Sequence, residues 1–96
     1  MATAVAALKA KARRRIFAHF ASADAFSAEQ AVSFTPNRLI VERQFARMEN
    51  AGVVRSTSDG RFWLDFERYR DWQTKRRLRV AAAGLFAVIA AAVLLG

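Results

Sequence analysis

Residues Thr35 to Leu64, TPNRLIVERQFARMENAGVVRSTSDGRFWL, constrain the fold more than any other stretch. Val41, Phe45 and Met48 recur at four and three residues, which puts one apolar stripe on a helix. Gly52 stands where a helix of that phase ends, and glycine suits the left-handed position just past a C-terminus. Val53 and Val54 then enter a strand, Thr57-Ser-Asp-Gly60 forms a turn, and Arg61-Phe-Trp-Leu64 returns. Asp-Gly is a strong hairpin signal, and aromatic residues fit a half-buried pleated surface. The stretch reads as one helix followed by a tight two-stranded hairpin.

Upstream, residues 4–20 form a first helix, with Val5, Leu8, Ala12, Ile16 and Phe20 on one face and Phe17 beside it. Its opposite side is basic, which has three readings: the solvated face of a core helix, a surface for phosphate or lipid headgroups, or an organelle transit peptide. The domain that follows needs this helix for completion, which counts against its removal. Ser27-Ala-Glu-Gln30 has the form of a capping box, predicting a short second helix from Ala28 to about Ser33 with Ala31 and Val32 inward. Thr35 as N-cap and Pro36 at the first helical position start the third helix, with Phe34 and Leu39 spaced as a hydrophobic staple.

Two helices joined by a short turn make a helix-turn-helix. The spacing of Val41, Phe45, Met48, Gly52 and Val53, followed by an Asp-Gly turn and an aromatic strand, resembles bacterial winged-helix domains over roughly residues 4–66. The resemblance implies that the third helix is a recognition element and the hairpin a wing. The whole chain is similar to small bacterial membrane proteins that join such a domain to one C-terminal span.

The net charge of +8 is unevenly placed. Lys9, Lys11, Arg13, Arg14 and Arg15 face no acid in residues 1–20, and Lys75, Arg76, Arg77 and Arg79 form a second basic run. Between them, seven arginines stand against all eight acids, leaving −1. A basic protein invites a nucleic-acid reading, but here the central region is nearly neutral. The chain has no cysteine, hence no disulfide and no thiolate chemistry.

Ala81 to Gly96 has no polar side chain. Residues 80–96, read as helix, would extend roughly 25 Å at ~1.5 Å per residue, slightly short of a ~30 Å hydrocarbon core. Leu78 and a snorkelling Arg79 extend it, and Ala83, Ala87 and Ala91 would permit close pairing of two such helices. The expected organisation is α+β and mainly α: a three-helix winged-helix domain with a two-stranded wing over 1–66, a basic juxtamembrane helix over 67–79 capped by Asp65, and a transmembrane helix over 80–96. The expected location is the inner, cytoplasmic membrane, single-pass and tail-anchored, with the N-terminal domain held in the cytoplasm by Lys75, Arg76, Arg77 and Arg79. Those four cations would also meet anionic lipid.

Two functions follow from the third helix. Its outer side, Leu39, Ile40, Arg43, Ala46, Arg47 and Asn50, carries three apolar residues that can read nothing on DNA beyond a thymine methyl. Arginines and acids over residues 35–51 leave only +1. The expectation is a non-enzymatic, membrane-anchored interaction module docking a protein partner or a second copy. The alternative is a membrane-tethered transcriptional regulator holding DNA phosphates with Arg43, Arg47, Arg55 and Arg61. No catalytic residue, cofactor or metal is expected: His19 has no sequence-evident partner, and Asp59, Asp65, Glu67 and Asp71 are spaced as turn, cap and surface charges.

Overall fold

A computed structural model describes residues 3–79. Helix α1 spans Ala4–Ser22, and its first turn is closed by Thr3, whose hydroxyl accepts from the Ala6 N–H at 3.1 Å. Ala12, Ile16 and Phe20 are its buried face. Val5 and Leu8, expected on that face, are instead 57% and 55% exposed. A 19-residue helix is about 28 Å long and the 12-residue α2 that it packs on only about 18 Å, so the start of α1 overhangs. At its other end the chain reverses through Asp24, which takes φ +53, a left-handed conformation that aspartate tolerates better than most side chains.

The expected second helix is reduced to one 3₁₀ turn, Ala28–Gln30, and the helix-turn-helix is not formed as predicted. Ser27 makes no side-chain cap, so the anticipated capping box is absent. The backbone beyond it is drawn away by the hairpin: Val32 N–H donates to the Phe62 carbonyl at 2.8 Å and Phe62 N–H returns to Val32 at 2.7 Å. A ladder position competes with helical propagation, which a single turn cannot sustain alone.

The following segment also stays out of helix. α2 spans Leu39–Asn50, three residues later than the Thr35 cap implies, and its N-cap is Arg38 without a side-chain bond. Phe34 stacks on Phe45 with centroids 4.7 Å apart, and the Ser33 carbonyl accepts from His19 Nε2–H at 2.9 Å. Both contacts tether residues 33–34 to neighbouring helices. Phe34 is thus spent on Phe45, and Leu39, meant to staple to it, is left exposed. Val41, Gln44, Phe45 and Met48 form the buried stripe of α2.

Gly52 ends α2 at φ +75, and Val53 N–H closes back onto the Met48 carbonyl at 2.9 Å, capping the helix as its position suggests. Strands β1 (Val54–Ser56) and β2 (Phe62–Leu64) pair antiparallel, with Val54 opposite Leu64 and Ser56 opposite Phe62. Gly60 takes φ +82 in the turn between them. Residues 66–79 form a further helix, α3, whose first turn is capped by the Asp65 carboxylate accepting from Arg68 N–H at 3.2 Å. Tyr69 of α3 joins the core formed by Ile16, Phe20, Val41, Phe45, Met48, Val53, Val54 and Leu64.

The described chain is therefore α+β, with one two-stranded sheet. The membrane-spanning helix expected over 80–96 lies outside the described residues, and among those no helix is long and apolar enough to cross a membrane. Helix α3 shows why: Glu67, Arg68, Arg70, Asp71, Lys75, Arg76, Arg77 and Arg79 occupy it, and charges at that density do not enter hydrocarbon. The fold class with a spanning helix and the single-pass placement in the inner membrane are corrected accordingly.

Candidate functional site

On the outer side of α2, Leu39, Arg43, Ala46, Arg47 and Asn50 are exposed and Ile40 is half-buried. Their phase follows from the inward stripe, because residues 41, 44, 45 and 48 face the core. Leu39 is a large apolar side chain that is 60% exposed among the described residues. Ile40 turns toward α1 and packs at the edge of the core.

Here the overhanging start of α1 becomes relevant. Leu8 and Ile40 line one cleft of about 60 Å³ between α1 and α2, with Ala12 and Val41 at its floor and Lys11, Arg15 and Arg38 around it. Three cations and no acid border an apolar recess. Sequence reasoning missed the α1 half of this surface by assigning Leu8 and Val5 to the core. Nothing in the 3.6-residue period distinguishes a buried turn from an overhanging one.

The hairpin arginines are placed differently from a free phosphate grip. Arg55 lies 3.4 Å from the Asp65 carboxylate and over the Trp63 ring at 5.6 Å. Arg61 Nε–H donates to Asp59 at 2.7 Å, and its Nη1 reaches the Ala31 carbonyl at 3.3 Å. The Thr57 hydroxyl also donates to Asp59, and these bonds hold the Asp59 carboxyl below its ordinary pKa, the Thr57 bond being the largest cause. Arg55 and Arg61 thus serve the hairpin itself, whereas Arg43 and Arg47 are exposed on α2.

The basic C-terminal run sits on α3 beside α1. Arg76 lies over the Trp72 ring at 5.6 Å, and Lys75, Arg77 and Arg79 are exposed. Sequence reasoning also missed the link between Arg13 and Gln44: Gln44 is 2% exposed, and its Oε1 accepts from Arg13 Nη1 at 3.2 Å. A polar residue inside the apolar stripe of α2 was the available signal.

His19 is exposed, edge-on to Phe20 and Phe34, and bonded through Nε2 to a carbonyl, which commits its proton to a structural contact. Among the described residues, no three His, Asp or Glu side chains are grouped to hold a metal ion. Compared with protein-family models, curated proteins and solved structures, the chain matches none.

Proposed function

We propose that this chain is a non-enzymatic interaction module, adaptor or regulatory in kind, that docks another protein at the cleft between α1 and α2. One observation carries the reading. Leu8, which lines the recess with Ile40, is more than half exposed, and so is Leu39, next to Ile40 in sequence, although the chain has a core in which such side chains belong. Apolar side chains grouped on a surface and rimmed by charge mark an interaction site. The rim decides the partner's chemistry: Lys11, Arg15 and Arg38 favour an amphipathic segment with acidic flanks. A second copy is disfavoured, since the chain carries +8. Reading of DNA by α2 and the hairpin is disfavoured too, because Arg55 and Arg61 are engaged within the hairpin and with its neighbours.

A photo-cross-linking residue placed at position 39 of the intact chain tests this. The expected result is one stoichiometric protein partner, lost in Leu8→Asp and retained in Arg77→Gln. Recovery unaffected by Leu8→Asp, or cross-links only between copies of the chain, would overturn it.

A further inference from the structure

The two basic runs, some sixty residues apart in sequence, meet in space. Arg13 and Phe17 lie one turn apart on the same side of α1, and Tyr69, Gln73 and Arg76 lie at the equivalent spacing on α3. The Phe17 ring stacks on Tyr69 with centroids 4.6 Å apart and planes inclined by 16°. Gln73 donates to the Tyr69 hydroxyl at 2.8 Å, which continues that face toward Arg76. Arg76 is in turn the charge that acts most strongly on Arg13. With Phe17 against Tyr69 and Arg13 toward Arg76, α1 and α3 run antiparallel, so the two basic runs lie side by side. Helix α2 adds Arg47, one turn beyond the Gln44 that holds Arg13.

The electrostatics agree with this placement. Burial lowers the pKa of Arg13 first, the charges of Arg76, Arg14 and Arg47 lower it further, and Tyr69 opposes them. Burial likewise raises the Tyr69 phenol, opposed by Arg13, Arg77 and Arg14. Guanidinium groups gathered without a counter-charge repel one another, and a bound polyanion removes that repulsion. Arginine is also the cation whose planar fork matches a phosphate.

We infer that the seam between α1 and α3 binds the phosphodiester backbone of a nucleic acid, without sequence preference, through Arg13, Arg14, Arg47, Arg76 and Arg77. The surface is separate from the docking cleft and shares only Arg47 with the expected reading face of α2 and the hairpin. The shape of the seam selects this partner over a lipid bilayer. Arg13 and Arg76 are half-buried and the five cations come from three helices. A narrow, linear chain of phosphates can follow such a seam, whereas a flat bilayer meets only the side chains that protrude furthest. The specificity is low because the contacts are between guanidinium groups and phosphates, which carry no sequence information.

The test is fluorescence anisotropy of a mixed-sequence single-stranded oligonucleotide against the intact chain over a salt series. Five phosphate contacts predict a slope of log K on log [salt] of about −3.5. Arg14→Gln, Arg47→Gln and Arg77→Gln each remove an exposed cation and should each make the slope shallower by about 0.7, while Arg38→Gln at the cleft should leave it unchanged. Far-ultraviolet circular dichroism of each variant, matching the parent, confirms that the fold persists. A scrambled oligonucleotide should bind equally well. Absence of salt-dependent binding, or slopes unchanged in the three seam variants, would overturn the inference. So would binding to vesicles of phosphatidylglycerol and phosphatidylcholine without binding to the oligonucleotide.

Discussion

At residue scale the most informative side chain is Gln44, a buried amide in a stripe otherwise made of Val41, Phe45 and Met48. It satisfies the half-buried Arg13 guanidinium, and the pair joins α1 to α2. Gln44→Met keeps the volume and removes the acceptor, so the expected loss is about 1 kcal/mol, read as a lower urea midpoint. Asp59 makes a second prediction. Its folded pKa is depressed below 3.8 by the Thr57 and Arg61 bonds, so its contribution to the hairpin is present above the unfolded value and is lost as pH falls through the lowered one. Acid titration followed by NMR should show the Gly60 and Arg61 amides of the parent shifting below pH 3.8, with that transition absent in Asp59→Asn. A transition at or above the ordinary carboxylate value would contradict the bonding seen here.

At the scale of elements, caps separate what holds from what only resembles a signal. Ser27 sits in a capping-box sequence and caps nothing, whereas Asp65 accepts from Arg68 N–H and starts α3. Asp65→Ala should therefore cost about 1 kcal/mol in urea unfolding, while Ser27→Ala should stay within about 0.5 kcal/mol of the parent. The Asp65–Arg55 ion pair adds little, since side-chain exposures of 23% and 46% leave it largely screened. Much at this scale was legible in the sequence. The α2 stripe, the glycine that ends α2, the Asp-Gly turn and the Asp65 cap are all local patterns, and each is found where its chemistry put it. The failures are local signals defeated by distant partners. Ser27 lost to the Val32–Phe62 bridge, and Thr35 with Pro36 lost to the stacking of Phe34 on Phe45.

At the scale of the whole molecule, the docking of α3 on α1 completes the core and builds the cationic seam. Tyr69, 7% exposed and stacked on Phe17, is the contact on which this depends. Tyr69→Ala should cost about 3 kcal/mol, in line with other large aromatic-to-alanine changes in cores. Hydrogen exchange should then show amides of residues 66–79 losing protection before those of α2. If α3 stayed as protected as α2, the packing of α3 on α1 would be independent of that ring. The candidate cleft depends on the same scale. The sequence leaves Ile40 as an unexplained apolar residue on the outside of a helix, but it gives Leu39 a staple to Phe34 and places Leu8, which shares the cleft with Ile40, on the core stripe.

What the sequence determined by itself is whatever depends on neighbours within about four residues. That covers the phase of α1 and α2, the position of the turn, Gly52 and Gly60 at their left-handed sites, and the concentration of charge at the two flanks. Only the tertiary structure decided how far α1 overhangs, which capping signals were used, and that the two basic runs lie together on one seam. Those outcomes turn on contacts between residues some ten to sixty positions apart, such as Phe34 with Phe45, Arg13 with Gln44 and Phe17 with Tyr69. A period of 3.6 residues states which side of a helix is apolar and says nothing of what covers it.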